Sequence, residues 1–331
     1  MVWSLVLRLR HALYDWGVFS SQKGALPTLV VGNAELGGTG KTPHVLHIAQ
    51  RLQRLLGPEA VGILSRGYGR TSNGFVWVSN ANSWREVGDE PWWMQGKLPS
   101  AHVAVSANRL DGLSRMAQDR PALKAVVLDD GLQHRALKPD LTVGLHGRPT
   151  PSVLGSAMAM VPSGPWRDLP SRLRTCDLTI FTGSERVEKT QVGLSTRWVP
   201  GQPVCISSND AYNEALKGPA LLATGIARPQ RVVASCDALG VALAGRVHCP
   251  DHHAFSQAEV DGWRAWMTER GVQALITTEK DAVRLQEFWP TAGDMTLWVL
   301  PIALTWSDDR ALDTLLESWT QTLTSSSNRI S

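Results

Sequence analysis

No stretch of this chain approaches the roughly 18 consecutive apolar residues that a membrane-spanning helix needs, so a spanning segment is not expected. Cysteine is scarce. Cys176, Cys205, Cys236 and Cys249 are scattered with no C-x-x-C pair, which argues against a disulfide framework or a cysteine-rich zinc site and fits a reducing compartment. Charge of one sign is also lacking: the net charge of +3 is too small to imply a nucleic-acid partner, and no basic stripe alternates with aromatics. Tyrosine is rare at three residues against fourteen tryptophans, and tryptophan is favoured where a protein surface meets lipid. With 43% hydrophobic residues and no internal repeat, disorder is excluded as well, apart from a frayed Ser-rich C-terminus. A chain of 331 residues suggests two domains.

The N-terminus has an amphipathic pattern. Helical spacing puts Leu5, Leu9, Leu13 and Trp16 on one face, while Arg8, Arg10 and His11 interrupt the apolar run. No small-residue cleavage site follows, so a signal peptide is not expected. Two readings stand: a helix lying in an anionic lipid interface, or a helix packed on the protein's own core.

Apolar runs rich in β-branched residues alternate with helical segments, the pattern of a mostly parallel α/β sheet. Strands are expected at Thr28–Val31, Val61–Leu64, His102–Val105, Ala125–Leu128, Leu141–Leu145 and Leu178–Phe181, with a helix at Thr42–Leu56 and a short strand at Phe75–Ser79. Beyond Pro200, Gly201 and Pro203 a second, smaller set begins: Ala220–Ala223, Val241–Val247, Ala274–Thr277 and Leu297–Leu300. The expected organisation is an N-terminal helix over residues 1–24, a P-loop NTPase-type domain over 25–200 and a smaller α/β domain over 201–331, with the C-terminal helix free to pack back on the first domain.

The strongest chemical signal runs from Leu29 to Thr42, ending Gly37-Gly38-Thr39-Gly40-Lys41-Thr42. A buried strand leads into a glycine-rich turn and then a helix N-terminus, so backbone N–H groups can converge on a triphosphate. Lys41 would reach the β- and γ-phosphates, and the Thr42 hydroxyl would coordinate Mg²⁺. The strict pattern asks for glycine where Glu35 stands, which adds a carboxylate near the phosphates. Ala125–Leu128 then ends in Asp129 and Asp130, an apolar strand delivering carboxylates of the Walker B kind, with Asp129 the better Mg²⁺ ligand. These elements establish nucleotide binding but do not separate a kinase from an ATPase switch.

Gly32-Asn33 followed by Gly37–Thr42 and Pro43 resembles the phosphate loop of the tetraacyldisaccharide 4'-kinases. Further blocks agree in order and spacing: Leu64–Gly69, Gly88-Asp89-Glu90-Pro91, Asn108-Arg109, Asp129–Arg135, Pro250–His253 and Thr277–Asp281. The resemblance covers nearly the whole chain. It implies ATP-dependent phosphorylation, with Mg²⁺, of the 4' hydroxyl of an acylated disaccharide 1-phosphate lipid. It further implies two α/β domains with nucleotide in the cleft between them, at the cytoplasmic face of the inner membrane; a monomer is expected.

By that resemblance Asp89 becomes the catalytic carboxylate, although sequence alone reads it equally well as a helix cap. His252 is its partner, with His253 the fallback. Asp130, Gln133 and His134 are placed near the γ-phosphate or metal, Asn33 on the nucleotide, and Arg109 and Arg167 as phosphate clamps, a task suited to the planar guanidinium fork. Tyr68 is either a sugar contact or structural. Thr278–Asp281 is sufficiently explained as a helix-opening run, with a nucleotide contact from Lys280 also open. The segment Trp166-Arg167-Asp168-Leu169-Pro170 departs from the family's usual block in a shortened acid and a displaced proline, so Asp168 has no assigned role. Two rivals remain: a membrane-associated ATPase switch, whose signature lysine is replaced by Leu36, and a soluble small-molecule kinase.

Overall fold

A computed structural model of the chain describes residues 2–147, 160–183, 194–207, 216–290 and 293–327. The chain divides into two compact units: Met1–Arg197 with Thr305–Ser331, and Trp198–Leu304.

Unit 1 is built on a nine-stranded sheet. In chain order its strands are β1 (Thr28–Asn33), β2 (Val61–Ser65), β3 (Val76–Trp77), β4 (His102–Val105), β5 (Ala125–Asp129), β6 (Leu141–His146), β7 (Leu178–Thr182), β8 (Leu194–Pro200) and the late-returning β14 (Ile302–Trp306). Their order across the sheet is β14-β8-β7-β6-β1-β5-β2-β4-β3. Pairing is parallel from β8 to β4, whereas the short edge strand β3 is antiparallel to β4 and, at the opposite edge, β14 runs antiparallel to β8, with Gly201 N donating to Pro301 O and Ser307 N to Ser195 O. β1 therefore lies centrally, with β5 and β2 on one side and β6 and β7 on the other. The chain reverses its winding direction there, and open α/β sheets bind ligands at the carboxyl ends of such strands.

Alternation along the strands divides the core between the two faces. Leu29, Val31, Ile63 and Val127 point to helices α2 (Lys41–Leu56), α4 (Asp89–Lys97) and α9 (Arg310–Ser327), which contribute Val45, Ile48, Leu52, Met94, Leu312 and Leu316. Val30, Leu64, Val126 and Leu128 point the other way, toward Leu7 of α1 (Val2–Asp15) and Leu113 and Met116 of α5 (Arg109–Asp119). The short α3 (Trp84–Val87) precedes α4. Ser325–Ser327, read from sequence as a frayed tract, continue α9; residues 328–331 lie outside those described.

Unit 2 carries a five-stranded sheet ordered β11-β10-β12-β13-β9, from β9 (Val204–Cys205), β10 (Ala220–Thr224), β11 (Leu243–His248), β12 (Ala274–Thr278) and β13 (Thr296–Leu300). All pairs are parallel except that of β9. One face packs on Val260 and Met267 of α7 (Gln257–Glu269) and Leu285 of α8 (Glu279–Leu285); the other packs on Val232 and Cys236 of α6 (Pro229–Ala238).

Three strands escaped the sequence reading. β14 follows β13 after Pro301 alone, just beyond the strand expected at Leu297–Leu300, and β8 and β9 flank the boundary expected at Pro200, Gly201 and Pro203. The tryptophans span three environments: Trp3 and Trp16 are exposed near the N-terminus, Trp166, Trp289, Trp298 and Trp319 are buried, and the other eight are half-buried.

Candidate active site

The phosphate loop leaves β1 at Asn33 and reaches α2 through Gly37, Gly38 and Gly40, whose φ values of 73, 22 and 77° lie in the left-handed region that glycine tolerates. Leu36, Gly37 and Gly38 are exposed, whereas Thr39 and Thr42 are buried. Asn33 organises the loop from below. Its Nδ2 donates to Thr39 Oγ1 (2.6 Å), and its Oδ1 accepts from Lys41 Nζ (3.3 Å) and Arg167 Nη2 (2.6 Å). Gln133 Nε2 donates to the Asn33 carbonyl (2.8 Å).

The Asp129–Arg135 turn fits over β1 because Gly32 has no side chain; a Cβ there would stand 2.7 Å from Leu132 Cγ. The two adjacent aspartates fare differently. Asp130 forms a bidentate pair with Arg167, through Nη1 to Oδ2 at 2.9 Å and Nη2 to Oδ1, and Lys41 Nζ lies 3.6 Å away. Burial works against its charge, but Lys41 and Arg167 hold Asp130 below the usual carboxylate range. Asp129 accepts from Ser65 Oγ (3.0 Å) through Oδ2, while its buried Oδ1 has no hydrogen-bond partner. Burial, then the negative charges of Glu90 and Asp130, push Asp129 up to about 7.

That orphaned oxygen tests the metal expectation. Thr42 Oγ1 donates to Glu90 Oε2 (3.0 Å), so hydroxyl and carboxylate oxygens of Thr42, Glu90 and Asp129 collect beside the phosphate loop. Crowded carboxylates and a hydroxyl are the hard oxygen donors that Mg²⁺ takes, so the residues fit it. Glu90, next to Asp89 in Gly88–Pro91, and Ser65, within Leu64–Gly69, are the site residues that the sequence alone did not single out.

Arg109 is buried at the start of α5, its Nη1 donating to the Ser106 carbonyl (2.6 Å) and its charge felt by both aspartates. His134 has a buried Nε2 without a partner, and burial together with Arg109, Arg10 and Arg66 lowers its pKa. Asp89 opens α4, is buried, and accepts its neighbour's backbone N–H (Glu90, 2.9 Å) through Oδ1. Glu35 does not present its carboxylate to the loop alone: Oε1 accepts from Gly147 N (2.8 Å).

His252 belongs to unit 2. Its φ of 58° is left-handed, and Lys280 Nζ donates to its Nε2 (2.8 Å) and lies 3.4 Å from Asp251 Oδ1. His253 Nε2 instead donates to Glu259 Oε1 (2.8 Å). Asn33, Thr39, Lys41, Asp130, Gln133 and Arg167 thus form one hydrogen-bonded group, with the Thr42–Glu90 and Ser65–Asp129 pairs beside it. Among described residues, Asp130 and His252 are the two non-glycine residues with positive φ, and such backbone strain concentrates at functional positions.

Comparison with known proteins places the chain in a family. A chain named tetraacyldisaccharide 4'-kinase from Anaeromyxobacter dehalogenans is 34% identical over 314 residues, covering 89% of this chain and 82% of that one. The chain of the same name from Haemophilus influenzae is 33% identical, with coverage of 90% and 84%. The crystal structure of LpxK from Aquifex aeolicus in complex with ATP superposes with a TM-score of 0.74 at 25% identity, over 95% of each chain. The family model for tetraacyldisaccharide-1-P 4'-kinase matches residues 1–321, and the chain belongs to that family.

Proposed function

We propose that this enzyme moves the γ-phosphoryl group of ATP onto the 4' hydroxyl of a tetraacylated disaccharide 1-phosphate, the lipid A precursor that its family phosphorylates. One observation carries the reading: a buried Asp129 oxygen without a partner, beside Thr42 and Glu90, at the foot of a phosphate loop whose lysine is already aimed at Asp130.

The backbone N–H groups of Gly37, Gly38, Thr39 and Gly40 bind the phosphates, and Lys41 neutralises charge on the transferring group. Thr42, Asp129 and Glu90 would hold Mg²⁺, which when bound offsets the charge of the β- and γ-phosphate oxygens. Arg167, now paired with Asp130, and Arg109 serve as phosphate clamps, with Gln133 and His134 completing that side. Asp89 takes the proton of the sugar hydroxyl as the new O–P bond forms and the bond to the β-phosphate oxygen breaks. His252, hydrogen-bonded by Lys280 within unit 2, is the histidine this reading assigns to catalysis.

The acceptor is a lipid, and α1 suits a lipid surface. Trp3, Leu5, Val6, Leu9 and Trp16 are exposed, with Leu5 and Trp16 at 69% and 74%. No described helix is long and apolar enough to cross a membrane. An interfacial helix at the cytoplasmic face of the inner membrane fits both features.

The test is direct. Pure protein incubated with γ-labelled ATP, Mg²⁺ and tetraacyldisaccharide 1-phosphate should transfer label to the lipid. Label appearing only as free phosphate would replace the kinase reading with an ATPase switch.

A further inference from the structure

α1 meets the rest of unit 1 along a narrow face: among its described side chains Ser4, Leu7 and His11 are buried, spaced one turn apart. Leu7 joins the apolar core, but His11 is polar and only 5% exposed, so it needs partners. Its Nε2 lies 2.7 Å from Oδ1 of Asp168, itself 1% exposed. A carboxylate only accepts, so Nε2 donates. Asp168 Oδ2 then accepts from Gln133 Nε2 (3.2 Å), and the same amide donates to the Asn33 carbonyl (2.8 Å). Asn33 is the residue whose side chain holds Thr39, Lys41 and Arg167.

Two more bonds run alongside. Arg10 Nη2 donates to the Gln133 carbonyl (2.9 Å), and Arg135 Nη1 donates to the His11 carbonyl (3.0 Å). Arg167 and Asp168 donate their backbone N–H groups to Ala34 O at 2.9 and 3.1 Å, fixing this segment along the start of the phosphate loop. A helix that served only as an anchor has no use for such a chain, because an apolar residue beside Leu7 would seat it without desolvating a carboxylate.

We propose that His11 is a positioning residue for the nucleotide site, and that lipid-surface binding by α1 and nucleotide binding at the phosphate loop are coupled through His11, Asp168, Gln133 and Asn33. The proposal rests on reading the loop as an ATP site and α1 as lipid-facing. Whatever orders α1 orders Gln133 and Asn33, and binding linkage makes the effect reciprocal: nucleotide must favour the lipid-bound form by the same factor.

The probes are a fluorescent non-hydrolysable ATP analogue and mixed phosphatidylcholine–phosphatidylglycerol vesicles without acceptor lipid. Vesicles should tighten analogue binding by the full-length protein about fivefold, the low end of ordinary coupling, and the analogue should tighten vesicle sedimentation equally. His11→Leu should still sediment, yet lose the vesicle dependence of its analogue affinity. His11→Gln, which restores a donor toward Asp168, should recover it. A merely structural His11 would lower the folded fraction while leaving the vesicle response of folded molecules intact, and that result would overturn the proposal. If His11→Leu does not fold, the wild-type response and His11→Gln decide: affinity indifferent to vesicles in the wild type refutes the coupling while leaving the ATP site standing. Failure of the wild type to bind the analogue under any condition refutes the ATP-site reading instead.

Discussion

Both units end a buried parallel strand near a buried aspartate, and the two aspartates are treated in opposite ways. In unit 2, Asp281 follows β12 and is fully engaged. Oδ2 accepts from Gly225 N (3.0 Å) and Thr278 Oγ1 (2.7 Å), and Oδ1 pairs with buried Arg284. Arg284 also donates to Gly225 O, the carbonyl that receives the His252 backbone N–H at 3.1 Å. This closed cluster supports the strained turn carrying His252. In unit 1, Asp129 at the end of β5 keeps one oxygen without a partner and faces the negative charges of Glu90 and Asp130. Burial raises both pKa values, but neighbours oppose the rise at Asp281 and add to it at Asp129. A satisfied buried carboxylate is scaffold, whereas one left short of partners is held for something that arrives.

The largest effects should come from Asp89 in unit 1 and His252 in unit 2. A positioned base aids attack by a sugar hydroxyl by roughly 10²–10⁴. Asp89→Ala and His252→Ala should each lower kcat steeply while ATP binding persists. If they act as one device, the double variant is hardly worse than the stronger single one. Losses that multiply would assign them independent roles, and full activity in His252→Ala would transfer the assignment to His253.

The comparison itself is sharpened by paired substitutions. Asp129→Asn should cut turnover by roughly 10²–10³, as removal of an electrostatic partner does elsewhere. It should also raise the unfolding temperature by a few degrees at pH 8 without Mg²⁺, because a crowded carboxylate is replaced by a neutral amide. Asp281→Ala should do the reverse. Stranding buried Arg284 costs roughly 3–5 kcal/mol of stability, while kcat per folded molecule falls less than in His252→Ala, because Asp281 reaches His252 only through Gly225. Denaturant unfolding and active-site titration on the same samples separate the two outcomes. An Asp129→Asn that unfolds more easily than wild type at pH 8 would break the contrast.

How legible these features were in the sequence depended on how local their causes are. β1, the glycine turn and α2 follow from a buried run, residues that tolerate positive φ and a 3.6-residue apolar period, all within residues 28–56. Glu90 stayed hidden because adjacent acids in Gly-Asp-Glu-Pro look alike until the start of α4 turns one toward Thr42. His11 looked like an interruption of an amphipathic face, since its partner Asp168 lies 157 residues away and no local rule connects them. Lys280 had a sufficient helix-opening explanation, and only folding shows it against His252. Thr278 caps α8 by accepting from Asp281 N, as its position suggested.

The smallest expected effect is a pH dependence that isolates Asp129. His44 donates through Nδ1 to Gly40 O (2.7 Å) beneath the phosphate loop, and burial pulls its pKa down to about 4. His47, stacked on Trp306, is also lowered to about 4 by burial and by Arg51 and Arg54. Both folded values lie below the unfolded value of 6.5, so the unfolded chain takes up protons first as pH falls. Their contribution is intact above pH 6.5 and is lost as pH drops toward 4, at up to about 1.4 kcal/mol per pH unit for each proton. Asp129 has the opposite sign. Its folded pKa near 7 exceeds the unfolded 3.8, so its cost is full above pH 7 and is relieved as pH falls through the same window. Asp281 is common to both proteins and cancels from their difference. Without Mg²⁺, Asp129→Asn should therefore lose stability on acidification from pH 6.5 to 4 more steeply than wild type, by about one proton's slope. Adding His44→Asn, which keeps a donor toward Gly40, should restore a slope close to the wild-type one. Denaturant midpoints across that range provide the measurement, and parallel curves for wild type and Asp129→Asn would mean that Asp129 is no more crowded than Asp281.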